Sequence, residues 1–298
     1  MGITTEPCNE ESLSGFIELL DQEFIYGRGR RLSLAARYPN VLSPGNVENI
    51  LIAHNERVLC GGAAARLFQW FDGDRQWSGA MIGMVCTSLE YRGRGVGGAV
   101  LMALGHHLQE RAIDFGVLWT TIPAFYERLG WRTLDQGVFG RVASLAQYEP
   151  VDALEPRLCS VDLVAHLETA RTKWLPQRVL RTALDYRVIP AACESVQVFG
   201  DAANNYGDGY ALVGEHATTG YVFEMVGALN TLERLWRSIA SRYATLYVNE
   251  RAGSPLKTWL AQNAAMAWTP QSQAMWMRFS GHREPPWDQW HIPYFDRI

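Results

Sequence analysis

Residues 92–98, Arg-Gly-Arg-Gly-Val-Gly-Gly, constrain this chain more than any other stretch. They lie between a β-type run at 80–89 (AMIGMVCTSL) and a run placing Val96, Val100, Leu104 and Leu108 at i, i+4 spacing. That spacing makes a single apolar stripe, so the segment after the loop reads as an amphipathic helix. Glycines between a strand and a helix let backbone N–H groups approach phosphate oxygens, and the helix N-terminus adds a favourable dipole. A pyrophosphate-bearing ligand is the first reading. A glycine-rich turn with solvated Arg92 and Arg94 is the alternative.

Spacing separates the loop from commoner phosphate binders. A P-loop needs Lys followed by Ser or Thr after its second glycine. The two lysines, Lys173 and Lys257, are far from the loop in sequence. A dinucleotide fingerprint can be forced onto Gly93, Gly95 and Gly98, but it expects a βαβ unit and an acidic residue ending the next strand. Asp114 instead precedes that strand, 115–121. What remains is R-x-x-G-x-G at Arg92, Gly95 and Gly97, which resembles the acetyl-CoA loop of the GNAT superfamily of N-acetyltransferases. Residues 123–131, Pro-Ala-Phe-Tyr-Glu-Arg-Leu-Gly-Trp, are similar to that family's second signature, F-Y-x-x-x-G-F. The two motifs stand in the family's order, with one strand between them.

The resemblance implies an α/β (α+β) fold with a mixed β-sheet flanked by helices. It implies that N–H groups of Gly93, Arg94, Gly95, Val96, Gly97 and Gly98 hold the CoA pyrophosphate, with charge added by Arg92 and Arg94. The strand end Val85, Cys86 and Thr87 would splay from its neighbour and pair with the pantetheine arm like an added strand. A backbone N–H there would face the thioester carbonyl. Tyr126 maps onto the family's general acid, which protonates the departing thiolate; a phenol is close enough in pKa to do so. Phe125 is core or a wall against CoA. For the general base the resemblance names no residue: Glu23, His54, Asp72 and Glu90 are candidates, each more simply a surface group. The chain departs from the family at Leu89, where Pro is common, and at Thr120-Thr121, where Asn is common.

At 298 residues the chain suggests two domains. A formal charge of −4 gives no support for nucleic-acid or membrane-surface binding. The apolar runs are too short to span a bilayer, and the N-terminus lacks a secretory pattern. Cys8, Cys60, Cys86, Cys159 and Cys193 are scattered and odd in number, which argues for reduced thiols in a cytoplasm and against zinc. No metal is expected, and a homo-oligomer is compatible with the sequence.

Along the first half, a helix is expected at 12–26 behind Ser12, a short one near 32–37, and strands at 50–54, 58–71 and 76–89. After the loop and its helix come the strand 115–121, a helix near 123–129, and strands near 131–134 and 137–142. Residues 1–145 thus form the expected catalytic domain, and 146–194 a connector with one or two helices. Residues 195–298 repeat the order: strands at 195–199, 210–215 and 221–226, a helix at 231–241, a strand at 244–249, a helix at 255–263 and a strand at 273–279. They read as a degenerate second GNAT-like domain. Gly227-Ala228-Leu229-Asn230 stands where the loop would be and cannot wrap a pyrophosphate. An unrelated α+β domain is the alternative.

The tail PPWDQWHIPYFDRI is expected to pack on the second domain. In aminoglycoside-acetylating members of the superfamily a chain-terminal carboxylate reaches the site, and Ile298 could do so here. The resemblance implies acetyl transfer to a primary amine of a small molecule in a ternary complex, with a longer acyl donor as a variant. A non-catalytic acyl-CoA sensor and a protein or peptide N-acetyltransferase are the competing readings.

Overall fold

Local signals start each element. Asn9, rather than Ser12, caps the first helix: its Oδ1 accepts from Ser12 N at 2.8 Å, while Ser12 Oγ accepts from Asn9 N at 3.0 Å. That reciprocal pair is a capping box with Ser in the acidic position. The computed structural model describes residues 2–142, 154–190, 192–280 and 287–298. The connector's first residues, 146–153, and the Pro pair of the tail lie outside these.

The first half runs β1 (Ile3–Pro7), α1 (Glu10–Phe24), α2 (Leu34–Arg37), β2 (Ile50–Asn55), β3 (Val58–Asp72), β4 (Arg75–Thr87), α3 (Val96–Glu110), β5 (Phe115–Trp119), α4 (Pro123–Glu127), β6 (Arg132–Thr133) and β7 (Gly137–Val142). The second runs β8 (Arg157–Leu158), α5 (Val164–Trp174), β9 (Gln177–Val179), β10 (Ser195–Gly200), β11 (Gly209–His216), β12 (Thr219–Gly227), α6 (Leu229–Ala240), β13 (Thr245–Arg251), α7 (Pro255–Asn263), β14 (Met266–Pro270) and β15 (Ala274–Arg278). Turn chemistry joins the long hairpin: Gly73 at its tip adopts φ +61°.

Two mixed sheets result. The first has the order β1-β2-β3-β4-β5-β15-β6, with β9 pairing on the far end of β3; the second has the order β14-β7-β13-β12-β11-β10-β8. Each contains one parallel pair, β4 with β5 and β12 with β13. In each a helix, α3 or α6, crosses between the parallel strands. The second half therefore repeats the topology of the first, as its element order suggested.

The strands do not divide at residue 145. β7, from the first half, pairs with β13 and β14 in the second sheet. β15, from the second half, fills the equivalent place in the first sheet, between β5 and β6. Each half thus lends the other one inner strand. Pattern alone did not show this exchange, because an alternating strand does not name its partner.

The stripe of α3 packs as expected: Val96, Val100, Leu104 and Leu108 are buried against β2, β3 and β4 in one cluster that also takes in Tyr126 and Trp131. Between the sheets lies a buried ionic network. Arg181 pairs with Asp296 (Nε–Oδ1 2.7 Å) and with Glu224 (Nη1–Oε1 2.9 Å). Glu224 also accepts from Arg171 and Tyr210, and Arg66 pairs with Asp185 at 2.7 Å. Burial disfavours charge on these carboxyls, but the guanidiniums outweigh it and hold Glu224, Asp296 and Asp185 below the usual carboxylate range.

The network fastens the tail to both sheets, which corrects the expectation of a tail packed on the second domain. Trp290 packs among Trp70, Trp77 and Phe115 of the first sheet, while Phe295 packs on Phe223 of β12.

Candidate active site

The site is built where β4 leaves β5. Parallel pairing holds only at Gly79–Phe115, Ala80–Gly116 and Met81–Val117. Beyond Met81, β4 runs on to Thr87 paired to β3 alone, and a cleft opens on its other side. Asp114 fixes the closed end, since its Oδ2 accepts from Ser78 N at 2.8 Å and its own N–H donates to Ser78 O. That acid is thereby committed to structure.

A bulge marks the open end. The register with β3 shifts between Gly62 and Ala64, and Met84 adopts φ +53°. An extra residue in one strand bends it and re-aims its side chains and backbone groups. Val85 packs towards α3, while Met84 and Cys86 face the cluster around α1.

The loop has the conformation that its glycines permit. Gly93 and Gly95 lie at φ +76° and +82°, and a methyl group on either would meet nothing within 4 Å. Gly95 is the N-cap of α3 and contributes no side-chain cap, which leaves the first N–H groups of the helix to an outside acceptor. Val96, Gly97 and Gly98 form that first turn. The residues present therefore suit an anionic, pyrophosphate-like group at this place.

The arginines behave differently from the simplest expectation. Arg92 turns back from the loop: its Nε donates to Thr87 O at 3.2 Å and its Nη2 pairs with Glu23 on α1. Its partner is thus not the neighbouring Glu90. Arg94 lies over the Tyr91 ring at 5.3 Å.

α4 brings Phe125 to the same place, with Tyr126 buried beside it in the cluster that also holds the α3 stripe. A methyl on Gly97 would lie 3.4 Å from the Phe125 ring and 3.6 Å from Thr87 Oγ1, so loop, strand end and α4 converge there. Phe125 and Tyr126 meet edge to face with centroids 4.9 Å apart. Burial pushes the Tyr126 phenol up, which keeps its proton in place at neutral pH. Burial first, then the Glu23 charge, pushes the Cys86 thiol up to about 12. A thiol held protonated in this way is a poor nucleophile.

Of the candidate bases, Glu23 alone borders this cluster, and Arg92 occupies it. His54 pairs with Glu6 on the β1–β2 edge at 3.4 Å, and Asp72 accepts from Gln177 at the far hairpin tip. Glu90 is exposed beside the loop. Ile298, in contrast, reaches the cleft: a methyl on Gly83 would fall 2.9 Å from its main-chain oxygen. Sequence had offered Ile298 only as the lesser alternative, because its approach depends on the ionic network and not on local pattern.

A splayed parallel pair, a bulged strand, a glycine loop capping a helix and a short helix carrying Phe125 and Tyr126 make up the candidate site. Residues 4–134 match the family model described as an acetyltransferase (GNAT) domain. This part of the chain is a GNAT acetyltransferase domain, and the protein is an acyltransferase. No curated protein matches the sequence. Among solved structures, a GCN5-related N-acetyltransferase from Kribbella flavida is similar at a TM-score of 0.65 and 16% identity, over 93% of this chain and 70% of its own. A GCN5-related N-acetyltransferase from Anabaena variabilis gives 0.70 and 17%, over 92% and 72%. Eis1 from Mycobacterium abscessus gives 0.65 and 15%, over 93% and 74%. At such identities the likeness is one of fold, and it takes in both sheets. Members of the family generally use acetyl-CoA. Among the described residues no group of three or more His, Cys, Asp or Glu could hold a metal ion, and no helix is long and apolar enough to cross a membrane.

Proposed function

We propose that the protein transfers an acetyl group from acetyl-CoA to a primary amine of a small molecule by direct attack in a ternary complex. The observation that supports this reading is the parting of β4 from β5 after Met81, at the Met84 bulge, with Phe125 of α4 reaching the loop at Gly97. Acetyl-CoA would lie with its pyrophosphate on the N–H groups of residues 93–98 and its pantetheine along Val85, Cys86 and Thr87, and it supplies the thioester. The backbone N–H of Val85 polarises the carbonyl where negative charge develops. The neutral amine forms the C–N bond as the C–S bond breaks, Tyr126 Oη delivers its proton to the leaving sulfur, and the proton shed by the new amide nitrogen returns to the tyrosinate through solvent. The main-chain oxygen of Ile298, against Gly83, can accept a hydrogen bond from the incoming amine and orient it.

A small acceptor is favoured because the tail and the second half lie across the sheet face next to the cleft. Ile298 packs into the core clusters on that face from Met84 to Trp70, which leaves a bulky protein substrate little room. The test is release of CoA thiol from acetyl-CoA with a panel of small amines, amino-terminal peptides and alcohols. Turnover with small amines alone is expected. Turnover with peptides alone would favour the protein acetyltransferase reading, and tight binding of acetyl-CoA without any turnover would favour a sensor.

A further inference from the structure

Arg297 is a buried cation without a counter-ion. Only 8% of it is exposed, and its hydrogen bonds go to neutral oxygens. Nε donates to Ile292 O at 3.0 Å, and Nη2 to Asn249 Oδ1 at 3.4 Å and Gln271 Oε1 at 3.2 Å. Nη1 has no partner among the described residues, and it is not sealed in. Burial pushes this guanidinium down to about 10, against the opposing charges of Asp135 and Asp296. Neither acid makes an ion pair with it among the described residues. Asp135 is taken up by the N–H groups of Gly137, Gln273 and Ala274, and Asp296 by Arg181. A cation so placed is short of negative charge.

Its position is at the acyl-transfer cleft. The guanidinium lies over the Trp119 ring, 4.9 Å from the centroid, at the end of β5. Trp119 and Ile298 share a core cluster on the sheet face away from α3, and Ile298 meets Gly83 of β4. Arg297 and Ile298 therefore bridge the parted strands, one over β5 and one against β4. The loop after α1 adds charge of the same sign: Arg28, Arg30 and Arg31 are exposed, and none forms an ion pair among the described residues. Burial raises the Tyr294 phenol while the Arg297 and Arg30 charges oppose it, so Arg30 lies near the ring that Arg297 covers at 5.6 Å.

We propose that Arg297 selects the acceptor: the amine presented to the thioester carries a carboxylate, which Arg297 Nη1 holds while the main-chain oxygen of Ile298 receives the amino group. A charge-assisted hydrogen bond is among the stronger single contacts available to a small ligand. Contacts from neighbouring residues suit groups a few atoms apart, so the acceptor class is an amino acid rather than a long polyamine. This inference rests on the amine transfer proposed above and narrows its acceptor.

The test is steady-state CoA release by the full chain with matched sets of acceptors. Each set holds an amino acid, its decarboxylated amine and its amide: phenylalanine, phenethylamine and phenylalaninamide, then the histidine and alanine counterparts. The amide, whose amino group is the weaker base, controls for amine protonation. In at least one set the amino acid is expected to lead both others in kcat/KM by about tenfold or more, chiefly through KM. Arg297→Met should cut that lead by about tenfold or more, and Arg297→Lys, which keeps a charge, should restore part of it. Melting temperature confirms that each variant is folded, and the wild-type series decides the matter if Arg297→Met is not. Amines or amides that match the amino acid in every set would overturn the proposal and leave the transfer reaction standing. A lead unchanged in Arg297→Met would give the carboxylate to another cation and also overturn it. If no amine of any kind gives turnover, the transfer reading itself falls and this inference with it.

Discussion

Single residues in this chain earn their place through backbone conformation as much as through side chains. Gly95 is the clearest case, at φ +82° with open space where a Cβ would stand. A side chain there costs about 1–2 kcal/mol for the left-handed conformation, and its methyl would stand in open space at the head of α3, beside the N–H groups proposed to hold the pyrophosphate. Gly95→Ala is therefore expected to raise the KM for acetyl-CoA several-fold while changing kcat much less, as steady-state kinetics at saturating amine would show. An unchanged KM would mean that the loop does not carry the donor. The glycines and Tyr126 were legible in sequence because their signals are local and ordered. The partner of Arg92 was not, since Glu23 lies on a helix far away in sequence and no local pattern links the two.

At the scale of elements, the bulged strand β4 organises the cleft. Its neighbour contact is tight: a Cβ on Gly83 would sit 3.0 Å from Ile298 Cγ1 as well as near its main-chain oxygen. Gly83→Ala should displace Ile298, lower kcat/KM for the amine by about tenfold, and leave acetyl-CoA affinity nearly unaltered. Equal losses for both substrates would show instead that the bulge itself had collapsed. Most helices and long strands were legible to within a few residues, because apolar periodicity and glycine turns mark them. The bulge was not, for Met84 is an unusual residue at positive φ. Nor were β1 and β14: both are short, both end in Pro, and most of their residues are exposed, so they carry no core-facing alternation. The exchange of β7 and β15 was equally hidden, because pairing across so many residues is decided by tertiary packing.

At the scale of the whole molecule, the two halves are joined by exchanged strands and by the Arg181 network, so stability and site geometry are shared between them. Removing one partner of a buried pair leaves an uncompensated charge, and Arg181→Met strands Asp296 while leaving Glu224 to Arg171 alone. The variant is expected to lose about 3–5 kcal/mol in urea denaturation. The same network sets the acid limit. Carboxyls held below their usual range contribute stability that is complete above the ordinary value near ~4 and is lost as pH falls through the depressed folded values. Melting temperature should therefore fall steeply below that point in the wild type and less steeply in Arg181→Met. A parallel decline in both would remove these carboxyls from the explanation.

The central claim is that Tyr126 supplies the proton to the leaving thiolate in an acetyl-transfer cleft. The most direct test is single-turnover and steady-state CoA release by Tyr126→Phe, with a small amine that the wild type acetylates. We predict a fall in kcat of about 100-fold or more, with acetyl-CoA affinity within about twofold of wild type. A variant that turns over as fast as the wild type would contradict the account.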